Sequence, residues 1–200
     1  MSNEQTELIC DFTGGAVGHR LRAGGGRGQA LPRAAGFSKS RTPDVVDATA
    51  GLGRDAFLLA SLGANVTLIE RAPQIHALLE DGLARASAAG GAAAEVAARM
   101  TLVLGDAKQL LPEMVAEVVL VDPMHPPRGN SALVKKKMRL LRDIVGSDED
   151  ALELMQAALQ AASKRVVLKW PLRAAPMAEL APPSHQIRGK TTRYDVFMTR

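Results

Sequence analysis

The chain has 200 residues, 46% apolar and 23% charged, which is enough for one well-buried domain of ordinary globular composition. No apolar run approaches the roughly eighteen residues of a membrane span, and "MSNEQTELICDF" lacks the basic and then apolar layout of a secretory signal, so a cytoplasmic protein without membrane attachment is expected. The net charge of +4 is modest, and the lone cysteine, Cys10, allows neither an internal disulfide nor a paired-cysteine zinc site, so no metal is expected.

Residues 1–41 read as an arm rich in Gly and Arg, and residues 42–200 as the folded domain. The arm carries Arg20, Arg22, Arg27, Arg33, Lys39 and Arg41, with "RAGGGRG" expected to stay mobile until a partner binds it. From residue 42 onward, strand-length apolar runs alternate with helix-length segments: "DVVDAT" (44–49), "NVTLIE" (65–70), "MTLVLGD" (100–106), "AEVVLVD" (116–122) and "KRVVLKW" (164–170). Continuous β-branched runs of this kind mark strands buried on both faces, as in a parallel sheet with helical crossovers. Helical spacing appears at Ile75, Leu78, Leu79 and Leu83, at Val134, Met138, Leu141 and Val145, and at Leu152, Met155, Ala158, Leu159 and Ala162. The last two strand-like pieces, "HQIRGK" and "RYDVFMT", are separated only by Thr191 and Thr192, which permits a hairpin and forbids a parallel crossover. The fold class expected is therefore α/β, a Rossmann-like sheet of mostly parallel strands closed by an antiparallel C-terminal hairpin. That is the outline of the class I methyltransferases.

Candidate site residues cluster at the strand ends. In "VVDATAGLGRDAF", Asp47 ends a strand, Gly51 and Gly53 allow a tight turn, and Arg54 and Asp55 open a helix. Glu70 closes the second strand nineteen residues after Gly51, the place and residue type for gripping a ribose diol, although capping of the next helix would also explain it. Asp106, followed by Ala107 and Lys108, ends the third strand, where a carboxylate can accept from an adenine amino group and the main chain can flank the ring. Together these acids favour an adenosine-bearing cofactor.

The fourth strand stops on "VDPMHPPR". This resembles the DPPY or NPPF loop of methyltransferases that act on exocyclic base amines. Asp122 and the Pro123 carbonyl can accept the two amine hydrogens and aim the nitrogen at a sulfonium methyl, while the prolines stiffen the loop. Neither a covalent nucleophile nor a metal is needed. A second basic group, Lys135, Lys136, Lys137, Arg139 and Arg142, follows and suits a polyanion. His19 lies in a basic stretch that could meet phosphate; His76 and His185 read as structural.

Taken together, "DFTGGAVGHRLRAGGGRGQAL", "PDVVDATAGLGRDAFLLASLGANVTLIERAP", "VDPMHP", "SALVKKKMRLLRDIVG" and "KRVVLKWP" resemble the RsmJ family of 16S rRNA guanine-N2 methyltransferases, from Asp11 to Phe197. The resemblance implies S-adenosylmethionine (SAM) as methyl donor and 16S rRNA or the small ribosomal subunit as partner. It also implies cofactor contacts at Arg54, Asp55, Glu70, Arg71, Ala107 and Lys108 beside Asp106, and at Asp122. His125 stands where many relatives carry an aromatic, and family members tend to begin with a further segment. Substrate RNA is expected to meet His125, Arg20, Arg22, Arg27, Lys135, Lys136 and Arg139. With four Phe, one Tyr and one Trp in the chain, electrostatics must carry more of the RNA affinity than stacking. Two other functions use the same features: a nicotinamide-dependent oxidoreductase, for which Ala56 stands in place of the third glycine, and a non-catalytic RNA-binding protein on the same scaffold.

Overall fold

The computed structural model describes residues 8–14, 26–123 and 150–199. Its elements, in order, are α1 (Ala30–Ala35), β1 (Val45–Asp47), α2 (Arg54–Ser61), β2 (Val66–Glu70), α3 (Pro73–Ala89), α4 (Gly91–Ala97) and β3 (Met100–Leu104). There follow α5 (Ala107–Leu110), a 3-10 turn (Leu111–Glu113), β4 (Ala116–Val121), α6 (Ala151–Ala161), β5 (Ala162–Pro171), β6 (His185–Arg188) and β7 (Thr192–Met198).

The seven strands form one sheet in the order β3-β2-β1-β4-β5-β7-β6. β1 pairs in parallel with both β2 and β4, β2 with β3 and β4 with β5, while β7 runs antiparallel to both β5 and β6. The expected five parallel strands and closing hairpin are thus present, and β1 and β4 flank the point where the strand order reverses. A nicotinamide-binding sheet normally ends on a parallel strand, so the antiparallel β7 counts against that alternative.

Side chains alternate between two cores, which is why the strands read as unbroken apolar runs. Val45, Val66, Leu68, Val118, Leu120 and Val167 face α1 to α4, whereas Val46, Ile69, Val119, Val121, Val166 and Leu168 face α5 and α6. The first core also holds Cys10 and Phe12, with Phe12 stacked on Phe57 at 4.7 Å between ring centroids. Leu31, Ala34 and Ala35 of α1 join it. α1 and α4, which are short and rich in alanine, carry too little periodicity to stand out in the sequence. α6 passes into β5 with no intervening loop, so Ala162, expected on the helix, begins the strand instead. The helix expected around Val134, Met138, Leu141 and Val145 lies outside the described residues.

Candidate active site

The turn after β1 is built on two glycines. Gly51 and Gly53 hold φ of 52° and 67°, in the left-handed region that side chains resist. A Cβ on Gly53 would lie 2.7 Å from a Leu79 methyl and 3.0 Å from the Phe12 ring, so the turn is seated directly on the core. Gly53 donates to the Ala50 carbonyl at 2.8 Å and receives the Phe57 N–H at 2.9 Å, which starts α2 beneath the carboxyl edge of the sheet.

A cleft opens at that edge. Of the residues expected at a cofactor, Gly51, Glu70, Arg71, Asp106, Ala107, Lys108 and Asp122 line it, with Ala48, Ile69 and Leu154 as apolar wall. Glu70 is only 5% exposed, and its two oxygens accept the N–H groups of Gly51 at 2.9 Å and Ala72 at 2.8 Å. The carboxylate therefore both ties the entry of α3 and braces the glycine turn, at the wall of the cleft. Burial raises its pKa, and the two N–H donors oppose that shift. Asp106 caps α5 by accepting the Lys108 N–H at 2.9 Å. That N–H is consequently committed within the protein, and the Lys108 ammonium is held by Asp150 at 2.7 Å and Glu153 at 3.1 Å.

Asp47, Gly53, Arg54 and Asp55 do not line this cleft. Asp47 is buried beneath it, 2% exposed, and accepts the Thr49 N–H at 3.2 Å. Burial, and then the neighbouring Asp55, push its pKa up to about 7. Arg54 is exposed on the first turn of α2. Asp55 instead meets a residue to which the sequence reading gave no role. The ammonium of Lys169, from β5, lies 2.7 Å from Asp55 Oδ2 and 2.7 Å from Asp122 Oδ2. The signal for it was a lysine inside the apolar run "RVVLKW". Asp122 is also fixed through its main chain, whose N–H donates to Thr49 Oγ1 at 2.7 Å, and Pro123 beside it is buried.

Asp150 is the second residue that pattern reading missed. It bridges Arg71, at 3.0 Å, and the Lys108 ammonium, at 2.7 Å, joining the ends of β2 and β3 across the cleft. The Lys108 hydrogen bond is the main cause of its lowered pKa.

Arg27, expected on RNA, is placed elsewhere. Its guanidinium donates to the carbonyls of Ser38, Arg41 and Leu62 and to Thr42 Oγ1, at 2.6 to 3.0 Å, and lies over the Phe37 ring. These partners sit at the amino edge of the sheet, opposite the cleft, so Arg27 is an anchor for the segment entering β1. Arg20, Arg22, His125, Lys135, Lys136 and Arg139 lie outside the described residues. Among the described residues no cluster of His, Cys, Asp or Glu suits a metal ion, and no helix is long and apolar enough to cross a membrane.

The donor set fits an adenosylated sulfonium compound. It combines an anchored buried carboxylate for a diol, an acid at the end of β3 for an amino group, apolar walls for a ring, and excess negative charge beneath for a cation. Comparison with known proteins points the same way. A family model described as "Putative SAM-dependent methyltransferase" matches residues 1–199. The protein named ribosomal RNA small subunit methyltransferase J from Agrobacterium fabrum is 68% identical, with 99% of this chain and 95% of the relative covered. Its namesake from Brucella anthropi is 69% identical over 98% and 95%. A crystal structure of a SAM-dependent methyltransferase from Neisseria gonorrhoeae is 36% identical, with a TM-score of 0.72 over 99% of this chain and 77% of that one.

Proposed function

Because the chain belongs to the SAM-dependent ribosomal RNA small subunit methyltransferase J family, we propose that it methylates the exocyclic N2 amine of a guanine in 16S rRNA. The observation that carries the reading is the position of Asp122 at the end of β4, on the same cleft as Glu70 and Asp106. Bound there, SAM supplies an electrophilic methyl on a positively charged sulfur.

Glu70 would hold the ribose hydroxyls and Asp106 the adenine amino group, with Ile69, Ala107 and Leu154 against the ring. Asp122 and the Pro123 carbonyl would accept the two hydrogens of the guanine amine. That fixes the nitrogen's lone pair along the line of attack, and alignment of this kind supplies most of the rate when no covalent step is needed. The acids beneath the cleft favour the positive charge that passes from sulfur to nitrogen. A guanine paired in a helix would have to leave its stack to reach Asp122. His125, Arg20, Arg22, Lys135, Lys136 and Arg139 remain the proposed RNA contacts.

The test is transfer of labelled methyl groups to small ribosomal subunits from cells lacking the endogenous enzyme, followed by nucleoside analysis. N2-methylguanosine is the expected product; any other methylated nucleoside refutes the N2 assignment. Asp122→Ala should lower the rate by about 100-fold or more, the usual weight of a lost transition-state contact, with RNA binding largely kept. An unchanged rate would remove Asp122 from the chemistry.

A further inference from the structure

Lys169 occupies a costly position. Its side chain is one quarter exposed within an otherwise apolar stretch of β5, and an ammonium taken out of water is tolerated only when closely paired. Here the pairing is doubled. Nζ lies 2.7 Å from a carboxylate oxygen of Asp55 on α2 and 2.7 Å from one of Asp122 at the end of β4. Val121 pairs with Leu168 in the β4-β5 ladder, so Asp122 and Lys169 are the next cross-strand neighbours, and the contact follows from strand register.

We propose that Lys169 is a positioning residue for methyl transfer, holding Asp122 in one place and in its anionic form so that it accepts hydrogens from the substrate amine. This rests on the function proposed above. Among the described residues, Asp122 is held at its N–H by Thr49 Oγ1 and at its Oδ2 by the ammonium. The remainder of the carboxylate is thereby oriented by the sheet itself.

Charge is the second part of the device. Among the described residues, the groups facing Asp122 and Lys169 are Asp47 from β1, Asp55 from α2 and Tyr194 of β7, the cross-strand partner of Lys169. Without the ammonium, three acids would face one another, and neighbouring acids raise each other's pKa. At Asp47 burial is the main cause of the raised pKa, and the charges of Asp55 and Asp122 add to it. A protonated Asp122 would carry an O–H and compete with the amine as donor. With Lys169 present, Asp122 is a firm acceptor and a poor base. As the bond from nitrogen to the methyl carbon forms, the carbon–sulfur electron pair stays on sulfur, and the surplus proton on nitrogen then leaves to water.

The experiment is methyl transfer to the same deficient small subunits, from about pH 5.5 to about 9.5, the range in which displaced carboxylates titrate. Lys169→Met should lower kcat about 10- to 100-fold near neutrality and move the acidic limb of the profile upward by about one pH unit or more, with KM for the methyl donor within about threefold. Lys169→Arg, which keeps the charge, should recover most of the rate and the original limb. Asp55→Asn, which leaves the ammonium to Asp122, should move the limb the opposite way, and it provides the reading should Lys169→Met fail to fold. A wild-type limb in both Lys169→Met and Asp55→Asn overturns the inference alone. So does a uniform loss at every pH that Lys169→Arg does not relieve. Absence of transfer by the unsubstituted protein overturns the proposed function and this inference with it.

Discussion

Asp47 lies under the cleft, and its protonation ties site to stability. Because burial raises its pKa to about 7, the folded protein binds that proton more tightly than the unfolded chain does. The stability so gained is complete below about pH 4, the ordinary carboxylate range, and is lost as the pH rises to about 7. Asp47→Asn keeps an acceptor for the Thr49 N–H and removes the titration. It should therefore be more stable than the parent at about pH 8, on the order of 4 kcal/mol, with little difference near pH 4. Thermal unfolding at both values checks this; an equal offset at both would show that the acid is ionised throughout. At this scale the sequence disclosed which acids end the strands, because each follows an apolar run. It could not disclose that Lys169 would reach Asp55 and Asp122, separated from it by 114 and 47 residues, since such pairings exist only once the sheet has formed. Arg27 shows the reverse error, where a cluster of basic residues says nothing about which guanidiniums carbonyl groups already occupy.

Among the elements, α3 is fitted to the segment that carries Cys10 and Phe12. A Cβ on Gly82 would lie 2.6 Å from the Cys10 carbonyl oxygen and 2.8 Å from its Cβ. Alanine gains about 1 kcal/mol of helix propensity over glycine, whereas forced overpacking against backbone costs about 1–3 kcal/mol. Gly82→Ala should thus be net destabilising by urea titration, and should speed labelling of the Cys10 thiol, whose pKa burial pushes up to about 11. Arg27→Ala removes four hydrogen bonds at the amino edge and should cost about 2 kcal/mol or more in stability, each such bond to a charged donor being worth about 1.5–3 kcal/mol at most. It should leave the salt dependence of RNA binding unchanged, since those partners are internal. A lowered salt slope would return Arg27 to the RNA surface. The strands were legible where both faces are buried, and β1 to β5 fall within a few residues of their apolar runs. α1 and α4 were not, because alanine-rich turns bear no stripe, and neither was the end of α6, where no glycine or proline separates helix from strand.

For the whole molecule, the antiparallel closing hairpin was legible from one constraint, the short link between β6 and β7, whereas the insertion of β7 between β5 and β6 left no local signal. Cofactor binding should be felt globally as well, because the cleft joins the ends of β1 to β4 and the start of α6. S-adenosylhomocysteine at about 100 times its Kd adds about 2.7 kcal/mol, which for a chain of this length raises Tm by about 5–10 °C. Glu70→Ala should abolish most of that rise; an undiminished rise would remove Glu70 from the cofactor site.

The insertion of β7 between β5 and β6 also bears on synthesis. The chain is made in the order β5, β6, β7, yet β5 has no antiparallel neighbour until residues 192–198 exist. A nascent chain that has completed "RVVLKW" therefore exposes an unpaired, β-branched edge of the kind that recruits other strands. Lys164, Arg165 and Lys169 are the charges on this edge, and Lys169 is the one that interrupts its apolar run. The residue that orders the acids of the finished site would thus also guard the unfinished sheet against aggregation.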